Sequence, residues 1–294
     1  MSWLSGLEHV VREAEPLAPY TWFRLGGPAQ FFAEPTNRDE LTTIVRRARE
    51  QGYAVRLLGG GSNVLVPDAG LRGVVVHLSA PDFCGIAVNK ESITAGGGAK
   101  LGHVIATAVR EGLAGLENLV GIPGTVGGAL HGNAGSHAGD VGQSTRAATV
   151  LTSGGETLAR GAADLHFAYR HSSLDELAIL EARFELERDD PAELTKRMQK
   201  LWIVKKAAEP MGQQNACPIF KSPPGISAES LVEQAGLKGA AIGEAQVSER
   251  HCNFIVANPR STSKDVAGLI ELVREKVAER LGVELETQID IWSP

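Results

Sequence analysis

Gly121-Ile122-Pro123-Gly124-Thr125-Val126-Gly127-Gly128-Ala129-Leu130-His131-Gly132-Asn133-Ala134-Gly135 is the stretch on which the reading of the chain turns. Glycine at this density weakens both helix and strand. What it supplies is backbone that turns sharply and comes within contact distance of a ligand. N–H groups exposed in such turns form an anion-binding concavity. Leu58-Gly59-Gly60-Gly61-Ser62-Asn63-Val64-Leu65-Val66 has the same character, and Gly96-Gly97-Gly98 lies between the two. One Gly-Gly pair reads as a tight turn without a ligand. Three such runs point to a phosphate-bearing cofactor approached by backbone. The dinucleotide fingerprint G-x-G-x-x-G is not met, because Gly59 and Gly61 are followed by Val64 at the third glycine position, and Val64-Leu65-Val66-Pro67 reads as strand. No Gly-Lys-Ser/Thr occurs, which excludes the usual triphosphate loop.

A chain of 294 residues buries a good core and has room for two or three domains. The net charge of −6 argues against a nucleic-acid partner, which needs a basic face. No run of eighteen apolar residues is present, so membrane insertion is not expected. Met1 to His9 lacks the basic start and apolar centre of a secretory signal, and the cytoplasm is the expected compartment. Cys84, Cys217 and Cys252 are odd in number and widely spaced, which reads as neither a disulfide framework nor a zinc set. The histidines form no H-E-x-x-H pattern, and no metal is expected.

Along the chain, Leu4, Leu7, Val10 and Val11 predict a short leading helix. A second helix is expected over Arg38 to Gly52, with Leu41, Ile44, Val45 and Ala48 inward. Strands are expected at Val55–Leu58, Val64–Val66 and Val74–Leu78. Leu101 to Glu111 reads as a helix stopped by Gly112, with His103 on its surface. Thr145–Thr152 and Glu156–Leu158 read as a hairpin, and Ile179–Leu186 as a strand of period two. A helix opens near Ala192 with Leu194, Met198, Leu201 and Trp202 on its buried face. Ser263 is read as the cap of a long helix closed by Gly282, and Val283 to Ile291 as a final alternating strand. The expected domains are 1–79, 80–204 and 205–294.

Seven motifs occur in order. They are Thr21-Trp22-Phe23-Arg24-Leu25-Gly26-Gly27, Gly60-Gly61-Ser62-Asn63-Val64-Leu65, the central glycine stretch, Phe167-Ala168-Tyr169-Arg170-His171-Ser172, Ile219-Phe220-Lys221, Ala235-Gly236-Leu237-Lys238-Gly239, and Val247-Ser248 through His251-Cys252-Asn253-Phe254-Ile255-Val256. Together they resemble the UDP-N-acetylenolpyruvoylglucosamine reductase family, a group of flavoenzymes of bacterial cell-wall synthesis. The resemblance runs from about Pro16 to Trp292. It implies an α+β fold: a bipartite FAD-binding domain of the vanillyl-alcohol-oxidase / p-cresol methylhydroxylase type (1–79 and 80–204) and a C-terminal substrate domain (205–294). Thr21 to Gly27 would be the first strand of the flavin domain. The short span from Arg170 to Ile179 is similar to the family's type II form.

The resemblance also implies a reaction. NADPH reduces FAD, and reduced FAD reduces the enolpyruvyl double bond of a UDP-sugar to the lactyl ether of UDP-N-acetylmuramate. It assigns FAD contact to Leu58, Gly59, Gly60, Gly61, Ser62, Asn63 and Val64, to Gly121, Ile122, Pro123, Gly124, Thr125, Gly127 and Gly128, and to Asn133, Ala134 and Gly135. Arg170 matches the active-site arginine, whose fork of donors suits a carboxylate. Lys221 and Lys238 would meet a substrate or NADPH phosphate, or the substrate carboxylate, or else be surface lysines. Ser248, His251 and Asn253 match a substrate-domain motif. His131 and His137 face flavin or substrate, or are simply polar loop residues.

Two catalytic positions depart from the pattern. The family's serine or cysteine acid falls at Pro218, which has no proton to give. Neighbouring Cys217 offers a thiol, or is a small buried residue. The family's glutamate falls at Gln288, which cannot titrate, while Glu286 lies about 6–7 Å along the same strand face. Either the activity persists with Cys217 and Glu286 or Gln288 in altered roles, or the chain is a flavin- and UDP-sugar-binding paralogue without the reduction step.

Overall fold

Phe31–Ala33 and Val74–Val76 are buried runs at the centre of the first sheet. The computed structural model describes residues 3–136, 138–210 and 215–294. The chain divides into two units. Unit 1 comprises Met1–Glu15, Ala29–Gly60 and Arg72–Ile203, and unit 2 comprises Pro16–Pro28, Gly61–Leu71 and Val204–Pro294. Among the described residues, no helix is long and apolar enough to cross a membrane.

Unit 1 carries two larger sheets and several two-stranded pairings among the described residues. The first is ordered β1-β2-β4-β3, from β1 (Val11–Pro16), β2 (Pro28–Ala33), β3 (Val55–Leu58) and β4 (Leu71–His77), with β3 and β4 parallel. Helix α1 (Arg38–Glu50) presents Leu41, Ile44, Val45 and Ala48 to this sheet's core. Asn37 caps it by accepting from Glu40 N at 2.9 Å. The second sheet is antiparallel, ordered β8-β7-β11-β6-β5: β5 (Ile86–Asn89), β6 (Ser92–Gly96), β7 (Thr145–Leu151), β8 (Thr157–Gly161) and β11 (Ala178–Glu185). Between β8 and β11 lies a two-stranded hairpin, β9 (Phe167–Ala168) and β10 (His171–Ser172). The second core gathers Ile93, Val104, Val126, Leu130, Val150 and Phe184 from this sheet and from helices α2 (Leu101–Arg110) and α3 (Val126–His131). His103 is exposed on α2.

Unit 2 has an antiparallel sheet ordered β12-β15-β14-β13, from β12 (Ala216–Pro218), β13 (Ala241–Ile242), β14 (Ala245–Val247) and β15 (Phe254–Ala257). The helix Ala228–Gln234 and the long helix Ser263–Leu281 share its core. Phe23 and Leu65, from early in the chain, are buried in that core, which is why 16–28 and 61–71 belong to unit 2. Asp68 accepts from Ser263 N, and Ser263 Oγ accepts from Asp68 N at 2.9 Å, fastening the early loop to the long helix.

Several local expectations change. The leading helix does not form. Residues 3–10 are turns running into β1, and Glu34 N takes the carbonyl of Val10 at 2.8 Å as sheet pairing begins. Thr21–Gly27 is a set of turns rather than a strand, with Arg24 and Gly26 at φ +59 and +132 and Thr21 Oγ1 donating to Leu25 O. In helix α4 (Pro191–Ala208) only Leu194 is fully buried, and Trp202 is 39% exposed. Helical periodicity marks an apolar stripe without saying what covers it. The long helix is capped by Thr262, one residue earlier than expected, in a capping box with Asp265. The final strand is reduced to Asp290–Ile291, paired in parallel with Val64–Leu65. Before it, Leu285 and Ile289 are buried while the backbone bonds to Lys221, Ile219 and Asn63 in turn, with a single bridge from Thr287 to Phe220, so no ladder extends.

Candidate functional site

In unit 1 the two main glycine runs meet. A Cβ on Gly59 would stand 2.8 Å from Thr125 Oγ1, and one on Gly60 2.7 Å from Gly124 Cα. Glycine is required for these loops to touch. Gly121 and Gly124 have φ +78 and +107, which glycine adopts without strain. The second loop leads into α3, where Thr125 accepts from Gly128 N at 3.4 Å as the N-cap. Gly60, Pro123 and Gly128 are exposed, so the loop surface is open at these positions. A helix start with bare loops beside it suits an anionic group. Gly127 faces inward and donates to Gly97 O at 2.8 Å. The third run therefore serves packing: side chains at Gly96, Gly97 and Gly98 would fall on the carbonyl oxygens of Phe83, Ile179 and Leu78. Packing alone accounts for glycine at these three positions.

Past α3 the chain turns toward Arg170. Ala134 and Gly135 continue into a short pairing of Gly135–Ser136 with Gly139–Asp140. Asn133 is buried, and its side chain donates to Ala168 O at 2.8 Å and accepts from Gly142 N at 3.1 Å. A side chain at Gly142 would strike the Phe167 ring. The hairpin β9–β10 turns through Tyr169 and Arg170, and Arg170 stands at φ +54. A non-glycine residue there is strained. Its guanidinium carbon lies 5.6 Å from the centroid of the exposed Tyr169 ring, while its Nε is buried with no hydrogen-bond partner. A buried donor on a charged group without a partner is costly. A Tyr-Arg pair in a two-residue turn, where Asn-Gly is usual, is the sequence signal of this strain. His131 Nδ1 meets Leu174 O at 3.0 Å; His137 lies outside the described residues.

The rest of the glycine-60 motif lies in unit 2. Gly61 has φ +62, and its carbonyl accepts from Trp22 N at 2.8 Å. Asn63 Nδ2 donates to Gln288 O at 2.8 Å, and Val64 pairs with Asp290. Ser62 is half-buried beside them.

The predicted catalytic and substrate residues of unit 2 are mostly spent on structure. Cys217 is 1% exposed on β12 and packs in the core. Burial pushes its thiol well above the ordinary range, which disfavours the thiolate; enclosure in the core keeps the thiol proton from any substrate. Of the two readings of Cys217, its burial favours the small buried residue. Pro218 follows, opposite Phe254. Asn253 then stands in for a partner strand: its Oδ1 accepts from Phe220 N and its Nδ2 donates to Phe220 O, both at 2.9 Å. His251 Nδ1 accepts from Asn253 N at 3.3 Å, and Ser248 Oγ accepts from Arg250 N at 3.2 Å and His251 N at 3.4 Å. Ser248, His251 and Asn253 thus form one braced turn supporting Phe220-Lys221. Lys221 Nζ donates to Glu286 Oε1 at 2.5 Å, and Lys238 pairs with Glu233 at 3.3 Å on the surface. Gln288 holds the segment by its backbone, donating to Ile219 O at 2.8 Å.

Comparison with known proteins gives this geometry its context. Residues 29–160 match the family described as FAD binding domain, and residues 209–292 the one described as UDP-N-acetylenolpyruvoylglucosamine reductase, C-terminal domain. The UDP-N-acetylenolpyruvoylglucosamine reductase of Rhodopirellula baltica is 39% identical over 97% of this chain and 94% of its own length. UDP-N-acetylenolpyruvoylglucosamine reductase 2 of Symbiobacterium thermophilum is 42% identical over 96% and 92%. The crystal structure of the reductase from Thermus caldophilus covers 96% of this chain and all of its own, with TM-score 0.82 and 33% identity. A glucose dehydrogenase, Phl p 4.0202, shares the fold alone, with TM-score 0.52 at 12% identity. Fold and site therefore define an α+β flavoprotein with an FAD-binding domain of the vanillyl-alcohol-oxidase type and a C-terminal α+β domain. The chain belongs to the UDP-N-acetylenolpyruvoylglucosamine reductase family.

Proposed function

We propose that this protein is an FAD-dependent, NADPH-linked reductase that converts the enolpyruvyl ether of UDP-N-acetylglucosamine to UDP-N-acetylmuramate. The observation that carries the reading is Arg170, strained at φ +54 with a buried, partnerless Nε, on a turn hydrogen-bonded to the chain just past the glycine loop. Gly59, Gly60, Gly124 and Gly128 would hold the FAD, since these glycines stand partly or fully open beside a helix start. The chemistry FAD supplies when bound is hydride relay from NADPH to the enolpyruvyl double bond. Arg170 binds the substrate carboxylate and stabilises the enolate charge that develops there. Its guanidinium keeps its proton throughout. The carbon next to the carboxylate needs a proton. Pro218 and Gln288 do not supply it, and Cys217 is enclosed in the core. Within unit 2, Glu286 is hydrogen-bonded to Lys221, and this pair carries exchangeable protons. Lys238, paired with Glu233 on the surface, would have to exchange that partner for a phosphate of the UDP-sugar or of NADPH.

The test is anaerobic. The purified holoprotein is bleached with NADPH, and the enolpyruvyl UDP-sugar is added. Prompt return of the oxidised flavin band is expected. Pro218, Gln288 and the enclosed Cys217 favour a second reading, a paralogue that binds flavin and UDP-sugar without reducing it. Bleaching with no return supports that reading. Pro218→Ser with Gln288→Glu should then restore the return.

A further inference from the structure

The arginine turn is too short to hold itself. β9 and β10 share two residue pairs, and isolated hairpins are marginal in water even when longer. The turn also bears the cost of Arg170 in the left-handed region. The restraint comes from the residues at the end of α3. Asn133 grips the first strand through Ala168 O, and its Oδ1 is fixed by Gly142 N. The second strand is held at His131, whose carbonyl accepts from Ser172 Oγ at 3.1 Å. Asn133 itself has φ +41, a conformation asparagine tolerates better than most residues. Helix α3 has six residues, about 9 Å of rise. One end receives the glycine loop and the other carries the Asn133 clamp.

We infer that Asn133 is the positioning residue of Arg170: its amide fixes the turn so that the guanidinium is held ready for a carboxylate. This assigns it a role distinct from FAD contact, and it rests on the reductase reading. Glycine at 133 would keep the backbone freedom and remove both bonds. Aspartate would keep the acceptor for Gly142 N but set a second acceptor against Ala168 O.

The test compares Asn133→Gly, Asn133→Asp, Arg170→Ala and the double variants in the holoprotein. The readout is the rate of flavin-band return with the enolpyruvyl UDP-sugar, divided by the bleaching rate with NADPH. Each Asn133 variant should lower this ratio about ten-fold. In the Arg170→Ala background it should fall less than about two-fold further, as for residues acting through one group. A full second loss in that background, or no loss in the first, overturns the inference. Calorimetry reads the same coupling without turnover. Asn133→Gly should weaken binding of the enolpyruvyl UDP-sugar at least about five-fold and of UDP-N-acetylglucosamine, which lacks the carboxylate, less than about two-fold. Equal losses overturn it. If the unaltered protein binds the sugar but never recovers its band, the reductase reading fails and the calorimetric comparison still decides on Asn133. Amide exchange of the holoprotein separates local from global effects: faster exchange confined to 167–172 is expected, and no change there overturns the inference. If Asn133→Gly exchanges faster throughout unit 1, Asn133→Asp supplies the comparison.

Discussion

At the scale of single residues, position in the pleat decides what a side chain can do. Cys217 and Pro218 are neighbours, and the strand sends Cys217 into the core. Cys217→Ala should therefore leave the rate of flavin-band return within about two-fold and cost about 1 kcal/mol of stability, read by urea unfolding. A sharp fall in rate at unchanged stability would return the thiol to the chemistry. Glu34 shows the opposite balance. Burial opposes its charge, but hydrogen bonds from His77, Ser79 and Arg12 outweigh that and hold its carboxyl below the usual range. A depressed folded-state value means stability that is present above the unfolded value of about 4.3 and lost as pH falls through the folded one. Glu34→Gln should be less stable than the parent at pH 7, with the gap closing below pH 4 in acid unfolding curves.

At the scale of elements, much of the fold was legible and the reason for each glycine was not. The buried faces of α1 and α2, the hairpin of β7 and β8, and the period-two pattern of β11 follow from spacing alone. A glycine required by a neighbour's carbonyl and one required by a ligand look alike in a sequence. Gly97 is of the first kind, and Gly128, open on α3, is suited to the second. Asparagine carries the same ambiguity: Asn63, Asn133 and Asn253 read as ligand contacts but spend their amides on backbone groups far away in sequence. Arg170 stood out in the sequence because its motif is long. Its strain was visible only once the turn was closed. Substitution separates the two kinds of glycine. Gly60→Ala should part the two loops and raise the flavin dissociation constant at least about ten-fold, by fluorescence titration. Gly102→Ala, with nothing within 4 Å on the first turn of α2, should raise stability by about 0.5–1 kcal/mol with flavin affinity unchanged.

At the scale of the whole molecule, two units with separate cores need not unfold as one. The proposed flavin loops from 59–60 and 124–128 lie in unit 1, so flavin should stabilise that unit by mass action. In calorimetric scans of apoprotein with rising FAD, one transition should move up with concentration while the other stays within about 1 °C. Tryptophan fluorescence assigns the transitions, since Trp3 and Trp202 belong to unit 1 and Trp22 and Trp292 to unit 2. A single transition moving as a whole would show that the units melt together.

The burial of Phe23 and Leu65 in the later core has a consequence for biosynthesis. Residues 16–28 and 61–71 leave the ribosome early, yet the core that receives them begins at Val204. At about 5–20 residues per second, the later of the two waits roughly seven seconds or more for that point of the chain. Through that interval two apolar side chains on the nascent chain have no place to go, which makes these loops the natural point of call for a chaperone.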